Sequence, residues 1–468
     1  MARFASCILL TNFFVFLSSP GSLPARLVQF VSGRLQTGSL ARRLADAAVW
    51  SLAGAIASRV VGIVSSVVVA RLLGKEGFGQ YGIIQSTVMT CGTFAAFGLG
   101  LTATKHVAEY RHKDPAKAGR ILGLSTLISL GSGAVIASIL LVGAPWLASH
   151  TLAAPHLTGP LRIGAVLILF TALNGAQTGV LLGLEAFKLT AQLNLLTGLV
   201  SLPLVVGGVI FFGLKGALWG LAASAFVTWL LYHWALRREL TRARIPFSTK
   251  GSFAEMRVLW AFSLPAVISG MLAAPVAWVC NALLVNQPHG YAEMGIVNAA
   301  NQWFYALLFL PGVLARTAIP VLSERLGADD KISCRRILTY NMGLNAAVVI
   351  PLMLLGCLAS RHIMSIYGAG FAQHPEVAMV ALITAGVLAI ELPLGQMTAA
   401  SGRMWTEICM NLVWAIVFCG GTWLALSHGA FGLVSARLVA YVQHGLWTAL
   451  FVVWLLRKRQ ATVIASPN

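Results

Sequence analysis

Charged residues are scarce in this chain, and acidic ones are the scarcest. Lys, Arg, Asp and Glu make up 10% of its 468 residues, against about 25% in soluble domains. The 14 acidic residues stand against 33 Lys and Arg, which gives a formal net charge of +19. No two carboxylates stand at helical spacing as a paired-acid catalyst would. The basic residues cluster between apolar runs rather than among aromatics, which favours an anionic membrane over nucleic acid as their partner.

Catalytic and metal-binding motifs are missing as well. The sequence contains no HExxH, no GxSxG and no CxxC, and its ten histidines are not spaced as metal pairs. Its seven cysteines stand mostly within apolar segments, where we expect buried thiols. Nothing positive therefore supports an enzyme, although a membrane glycosyltransferase or polymerase stays open as an alternative.

The glycine-rich stretch GKEGFG raises the question of a phosphate-binding loop. A Walker motif needs a Lys followed by Ser or Thr, whereas Lys75 is followed by Glu76. The apolar run before it has the character of a membrane helix. We therefore predict a tight turn between two helices, in which Gly74, Gly77 and Gly79 allow a helix end and a reversal.

What the chain does have is long apolar runs. Hydrophobic residues make up 58% of it, and the mean hydropathy is +0.81. A spanning helix needs about 20 apolar residues, and these runs do not alternate as barrel strands would. The sequence predicts an all-α integral membrane protein with twelve transmembrane helices, near residues 47–72, 79–103, 121–144, 161–184, 191–212, 216–236, 258–286, 291–315, 337–358, 377–400, 406–427 and 431–456.

The positions of Lys and Arg predict the orientation. With the N-terminus inside, 26 of them fall on the inner side and five on the outer side. Because cytoplasmic loops are enriched in Lys and Arg, we expect both termini of this multi-pass protein to be cytoplasmic.

Internal matches at one register indicate a duplication. Gly82-Ile83 and Gly295-Ile296 are 213 positions apart, as are Gly216-Ala217 and Gly429-Ala430. Six helices return the chain to the same side, so the halves are predicted to be parallel repeats. The predicted parts are a leader at 1–46, a first six-helix bundle at 47–240, a cytoplasmic connector at 241–257, a second bundle at 258–459 and a cytoplasmic tail at 460–468. The leader fits a cleaved signal, an interfacial segment or a start codon placed too far upstream.

Several polar side chains fall at membrane depth, where a charge costs about 2.5–3.5 kcal/mol and usually faces a functional cavity. Arg59 lies in the first helix beside a stripe of small residues, and Glu391 lies midway in the tenth helix, just before Pro393. The alternatives are a structurally paired Arg59 and a protonated, hydrogen-bonded Glu391. Arg437, near the outer end of the twelfth helix, is expected to extend towards the membrane surface.

The stretch ARLLGKEGFGQYGIIQS, with FAAFGLGLTATKHVAEYR after it, resembles the start of Wzx-type oligosaccharide flippases of the multidrug/oligosaccharidyl-lipid/polysaccharide (MOP) exporter superfamily. The match covers most of residues 47–459. Its hairpin motif LG-x-E-x-(F/Y)-G-x-Y is carried here by Leu73, Gly74, Glu76, Phe78, Gly79 and Tyr81. The resemblance implies two six-helix bundles that form a V around a central cavity. It also implies movement of undecaprenyl-pyrophosphate-linked sugar units across the inner membrane by alternating access, for O-antigen, capsule or exopolysaccharide synthesis.

The resemblance also suggests roles for the polar residues. Arg59 would hold the pyrophosphate, because Arg binds phosphate oxygens bidentately. The predicted substrate-binding set is Arg59, Asn174, Gln177, Asn298, Asn301, Gln302 and Glu391. We expect no cofactor or metal, a proton or sodium gradient as the driving force, and a monomer. Its partners would be the lipid-linked oligosaccharide, anionic phospholipids, and the polymerase and glycosyltransferases of the same pathway. The main alternative is a cation-coupled drug antiporter, in which Glu391 would bind the cation.

Overall fold

The computed structural model describes residues 40–96, 98–256, 271–328 and 330–458. Most of the predicted leader, the whole predicted tail and the first half of the predicted seventh helix lie outside the described residues.

Every regular element in the described ranges is helical, as the unbroken apolar runs predict. The α-helices are α1 (Leu40–Ala96), α2 (Leu99–Tyr110), α3 (Pro115–Trp146), α4 (Thr158–Gly183), α5 (Phe187–Arg242), α6 (Ala273–Val285), α7 (Gly290–Gly327), α8 (Lys331–Leu358), α9 (Ser360–Tyr367), α10 (Ala369–Ala372), α11 (Pro375–Ala400), α12 (Met404–Leu424) and α13 (Gly429–Lys458).

Eight helical stretches among the described residues are long and apolar enough to cross a membrane. The two longest helices, α1 and α5, are each interrupted by a glycine with positive φ, Gly74 at 68° and Gly213 at 57°. Both glycines lie where the sequence predicts one spanning helix to end and the next to begin. Large apolar side chains such as Phe211 and Leu355 are exposed, as lipid-facing residues should be. The all-α membrane class is confirmed, while the count of twelve helices and the V-shaped cavity stay predictions.

The glycines of GKEGFG have two different uses. Gly74 has the positive φ of a turn, whereas Gly77 and Gly79 keep helical backbone, so assigning those two to the turn was wrong. Gly79 instead lets α1 approach α7 closely, since a Cβ there would overlap the carbonyl oxygen of Tyr291. Gly295 of α7 lies equally close to the backbone of α1. Small residues that allow backbones to approach are a common basis of helix packing in membranes.

Contacts divide the chain into two compact units. The first unit consists of Met1–Ser65, Cys91–Leu141 and Arg162–Ala266, and the second of Ser66–Thr90, Val142–Leu161 and Val267–Asn468. The division by sequence repeat, into 47–240 and 258–459, stays a prediction.

The core of the first unit joins helices α2 to α5. Val107 of α2, Leu122 of α3, Leu181 of α4 and Leu236 of α5 belong to one buried cluster. A Cβ at Gly179 of α4 would overlap the backbone of α2, so these helices also pack through small residues.

In the second unit, α11 packs against α7, α8 and α13, and α12 packs against α13. Leu322 of α7, Leu338 of α8, Met397 of α11 and Leu455 of α13 form a buried cluster at one end of this bundle. Helix α11 therefore has neighbours on several faces, and a polar side chain in its middle is enclosed by protein rather than lipid.

Candidate functional site

Arg59 lies on α1 in the first unit, next to small residues that pack against α5. A Cβ added at Gly54 would lie 2.7 Å from the Cβ of Ala191, and the Ser58 hydroxyl donates a hydrogen bond of 2.9 Å to the carbonyl oxygen of Asn194. Small residues at these two positions allow the two helices to pack closely. The packing fixes α1 against α5, and the Arg59 side chain beside it is half-buried.

Asn174 and Gln177 stand one turn apart on α4, also in the first unit. The Asn174 amide donates to the carbonyl oxygen of Ala225 at 3.1 Å. Its side-chain oxygen and that of Gln177 are both buried and accept no hydrogen bond from the described residues. Because an unsatisfied buried acceptor costs about 1–3 kcal/mol, this pair of oxygens is suited to accept hydrogen bonds from a ligand.

The three predicted polar residues of α7 lie in the second unit and differ in their surroundings. Asn298 is buried, and its amide donates to the carbonyl oxygen of Phe78 at 3.4 Å. It thus takes part in the close packing of α1 on α7. Asn301, one turn further along, accepts a hydrogen bond of 2.7 Å from Arg437 of α13. Gln302 is half-buried.

Arg437 is only 8% exposed, so the expectation that it extends to the membrane surface is wrong. Its guanidinium donates to Asn301 and lies 4.3 Å above the ring centre of Phe304. The side chain points into the bundle because α7 supplies both an acceptor and an aromatic face. Its Nε and Nη2 are buried and donate to no partner within the described residues. It is therefore a buried cation with unused donors.

Glu391 is 6% exposed, and its Oε1 is hydrogen-bonded to Nδ1 of His444 on α13. Oε2 is buried and accepts no hydrogen bond from the described residues. It faces the backbone of α13, where a Cβ at Gly445 would lie 3.0 Å from it. The carboxyl group of Glu391 is thus held between two helices by one specific partner.

The predicted set is divided between the two units. Arg59, Asn174 and Gln177 belong to the first, and Asn298, Asn301, Gln302 and Glu391 to the second. Sequence reasoning missed His444 and the buried position of Arg437. A signal was available: Arg437, Tyr441 and His444 are spaced by four and three residues, which places them on one helical face.

The described residues contain no group of three or more His, Cys, Asp or Glu side chains that could hold a metal ion. The polar side chains described above offer hydrogen bonds and arginine donors, which are groups that can recognise a polar or anionic ligand.

Comparisons with known proteins agree with this character. The chain is 26% identical over 412 residues to the EPS I polysaccharide export inner membrane protein EpsE of Ralstonia nicotianae, covering 85% of this chain and 90% of that protein. It is 22% identical over 420 residues to the lipid III flippase of Escherichia coli, covering 88% and 99%. A solved inward-facing multidrug resistance MATE family transporter of the MOP superfamily superposes with a TM-score of 0.71 at 15% identity, covering 86% of this chain and 96% of that one.

The likeness to the solved transporter concerns the fold alone, because so few residues are identical. Residues 44–325 match the family described as polysaccharide biosynthesis protein. That match spans more than half of the chain, from α1 to the end of α7. The chain belongs to the polysaccharide biosynthesis protein family.

Proposed function

We propose that this chain is a flippase that moves lipid-linked oligosaccharides across the bacterial inner membrane for export of a polysaccharide. Family membership supports this proposal, as do relatives named for polysaccharide export and for flipping of a lipid-linked intermediate. The helices are long enough to span the membrane. The carrier would be undecaprenyl pyrophosphate, and the movement would proceed by alternating access.

The balance of charge at membrane depth carries the proposal. Among the described residues, Arg59 of the first unit and Arg437 of the second lie at this depth, and Arg437 is buried with two nitrogens that donate to no described partner. They stand against one mid-membrane acid, Glu391, whose Oε1 is bonded to His444. Carboxylates bind a cationic drug, whereas guanidinium donors bind a pyrophosphate. The residues therefore favour an anionic headgroup over the cation of a drug antiporter.

The sugar part would be bound by amide groups. In the first unit the side-chain oxygens of Asn174 and Gln177 are available as acceptors for hydroxyl groups. Gln302 of the second unit is half-buried and is proposed to contribute in the same way. Asn298 and Asn301 already hold protein partners, so we assign them the role of fixing α7 and Arg437.

We also propose a monomer with both termini in the cytoplasm, working beside the polymerase and glycosyltransferases of one pathway. The excess of basic residues in the predicted inner loops would bind anionic phospholipids.

Complementation tests the proposal. The gene is expressed in a bacterium whose own repeat-unit flippase is deleted, and surface polysaccharide and membrane protein level are both measured. We expect Arg59→Ala to abolish export, Arg59→Lys to retain part of it, and Arg162→Ala to export normally, since Arg162 is exposed. If Arg59→Ala exports as much polysaccharide as the wild type, Arg59 is not part of the substrate-binding site.

A drug-susceptibility panel separates the two transporter classes. The chain is expressed in a strain that lacks its drug exporters, and growth is scored with cationic dyes and antibiotics. We expect no resistance. Resistance that depends on Glu391 would instead support the drug antiporter.

A further inference from the structure

Helix α13 carries a row of buried and half-buried polar side chains through the second unit. Arg437, Tyr441, His444 and Thr448 recur every three or four residues, so they share one face over about 16 Å of helix. Arg437 bonds to α7, His444 to α11, and Thr448 contacts the sulfur of Met410 on α12 at 3.8 Å. This face therefore contacts three other helices. Its polar side chains lie inside a bundle that is otherwise apolar.

At the centre of the row, His444 and Glu391 complement each other chemically. Nδ1 of the imidazole is hydrogen-bonded to Oε1 of the carboxyl group. In the tautomer that carries its proton on Nδ1, Nε2 is the nitrogen able to take up a second proton. The proton balance is simple: Nε2 gains one proton or releases it, while the bond through Nδ1 persists.

A small cavity next to His444 can admit the water that carries protons to the pair. It has a volume of about 90 Å³, enough for a few waters, and is lined by Leu272, Ala273, Asn411, Trp414, Tyr441 and His444. The indole N–H of Trp414 is buried without a partner among the described residues. Polar groups that line a cavity can hold the waters along which a proton moves.

Other charged and titratable groups surround the pair. Glu407 of α12 is within electrostatic range of His444, and Tyr441 is within range of both Glu391 and Arg437. Near Arg437 lie Tyr305 of α7 and Cys280 of α6. Glu407 lies in the first turn of α12, at the end predicted to be cytoplasmic, so the row connects that end to the middle of the bundle.

We propose that Glu391 and His444 form a proton-binding site inside the second unit, filled through this cavity, and that its proton is exchanged during lipid-linked oligosaccharide transport. The coupling rests on the proposed function, whereas the proton site itself does not. A proton suits the pair better than sodium, because a metal ion would require several oxygen ligands and Oε1 is already hydrogen-bonded to Nδ1 of His444.

The first experiment tests proton binding without any substrate. Infrared difference spectra of the purified protein in detergent are recorded between neutral and mildly acidic buffer. We expect imidazole and carboxyl bands that vanish in His444→Gln and change in Glu391→Gln, which can still accept the Nδ1–H. His150→Gln, at an exposed position, should leave them unchanged. Identical bands in all four proteins would overturn the proposal.

The second experiment tests coupling in liposomes of phosphatidylethanolamine and phosphatidylglycerol with a pH dye inside. A short polyprenyl-pyrophosphate-linked sugar is added, and sugar translocation and internal pH are followed together. We expect proton flux with translocation in the wild type and in His150→Gln, and flux at the level of empty liposomes in His444→Gln. Translocation driven by sodium with no proton flux would refute coupling.

The two experiments separate the failure of each idea. If the wild type binds protons at the pair but moves no lipid-linked sugar, the proposed function is wrong and the proton site stands. If it moves the sugar and His444→Gln changes neither the spectra nor the flux, the proton site is wrong and the function stands. Because a histidine bonded between two helices can matter for folding, each variant is used only when its elution and thermal unfolding match the wild type, and Glu391→Gln serves as the second variant.

Discussion

At the scale of single residues, Arg437 shows how a buried charge can oppose stability and serve function. Burying a guanidinium removes its hydration, and one hydrogen bond to Asn301 with one aromatic contact offsets only part of that cost. Replacing a buried ion by an apolar side chain of similar size is often neutral or stabilising. Its retention at this depth therefore indicates a role beyond folding.

We predict that Arg437→Met keeps or raises the melting temperature and reduces polysaccharide export. A hydrogen bond to a charged group contributes about 1.5–3 kcal/mol, so the apparent affinity for a pyrophosphate headgroup should fall about tenfold or more. Thermal unfolding in detergent and binding of a polyprenyl pyrophosphate measure the two effects. A large fall in melting temperature with unchanged binding would make Arg437 a structural residue only.

The negative charge of Asp330 stabilises the N-terminus of α8. Its carboxylate accepts a 3.0 Å hydrogen bond from the backbone N–H of Ser333 and caps α8. Hydrogen bonds from the hydroxyl and backbone of Ser333 hold the pKa of Asp330 below its ordinary value, with Arg325 adding a smaller effect. A lowered folded-state pKa means that the charged form stabilises the fold, so this stabilisation is complete at neutral pH and is lost as the pH falls through that pKa.

We predict that Asp330→Ala lowers the melting temperature at neutral pH, while Asp330→Asn keeps most of it because Asn is also a good N-cap. The difference between wild type and Asp330→Ala should shrink in acid, below about pH 4. A melting series from neutral to acidic buffer measures it. A difference that stays constant into acid would mean that the charge of Asp330 plays no part.

At the scale of helices, the meeting of α1 and α7 depends on the absence of side chains. Gly79 and Gly295 bring the two backbones so close that a Cβ on either would overlap the other helix. Asn298, whose amide donates to the carbonyl oxygen of Phe78, lies in the same contact. Glycine within a helix otherwise costs about 1 kcal/mol relative to alanine, so its presence here is explained by packing.

We predict that Gly79→Ala destabilises the protein by about 1–3 kcal/mol, the usual cost of overpacking. Gly92→Ala is the matched control on the same helix, because a Cβ at Gly92 would have no neighbour within 4 Å. The control should be neutral or slightly stabilising, as expected for alanine in a helix. The midpoints of thermal unfolding compare the two, and equal midpoints would contradict the packing of α1 against α7.

The helices also show which features of the fold can be predicted from a single sequence and which cannot. Run length and composition predicted the all-α class, and the turns at Gly74 and Gly213 were correctly located, because both depend on local chemistry. The pairing of Glu391 with His444 was missed, since the two lie 53 positions apart and only packing brings α11 and α13 together. The use of Gly79 was missed for the same reason: a glycine needed for packing and a glycine needed for a turn look alike in sequence.

At the scale of the whole molecule, most Lys and Arg residues lie in the predicted loops on one side of the membrane. With 26 Lys and Arg assigned to one side and five to the other, the chain has a strong orientation signal. The few charges outside the loops then become informative, because a charge at membrane depth usually faces protein or a cavity. Arg437 and Glu391 meet this expectation with exposures of 8% and 6%.

The orientation itself is the last prediction. Alkaline phosphatase, which folds only after export, is fused after Gln287, between α6 and α7, or after Ala328, between α7 and α8. We expect activity only from the first fusion, because the basic residues that follow α7 should hold the second in the cytoplasm. Equal amounts of both fusions on a blot serve as the control. The opposite result would place Glu407 on the outer side, and the proton of Glu391 and His444 would then exchange with the opposite compartment.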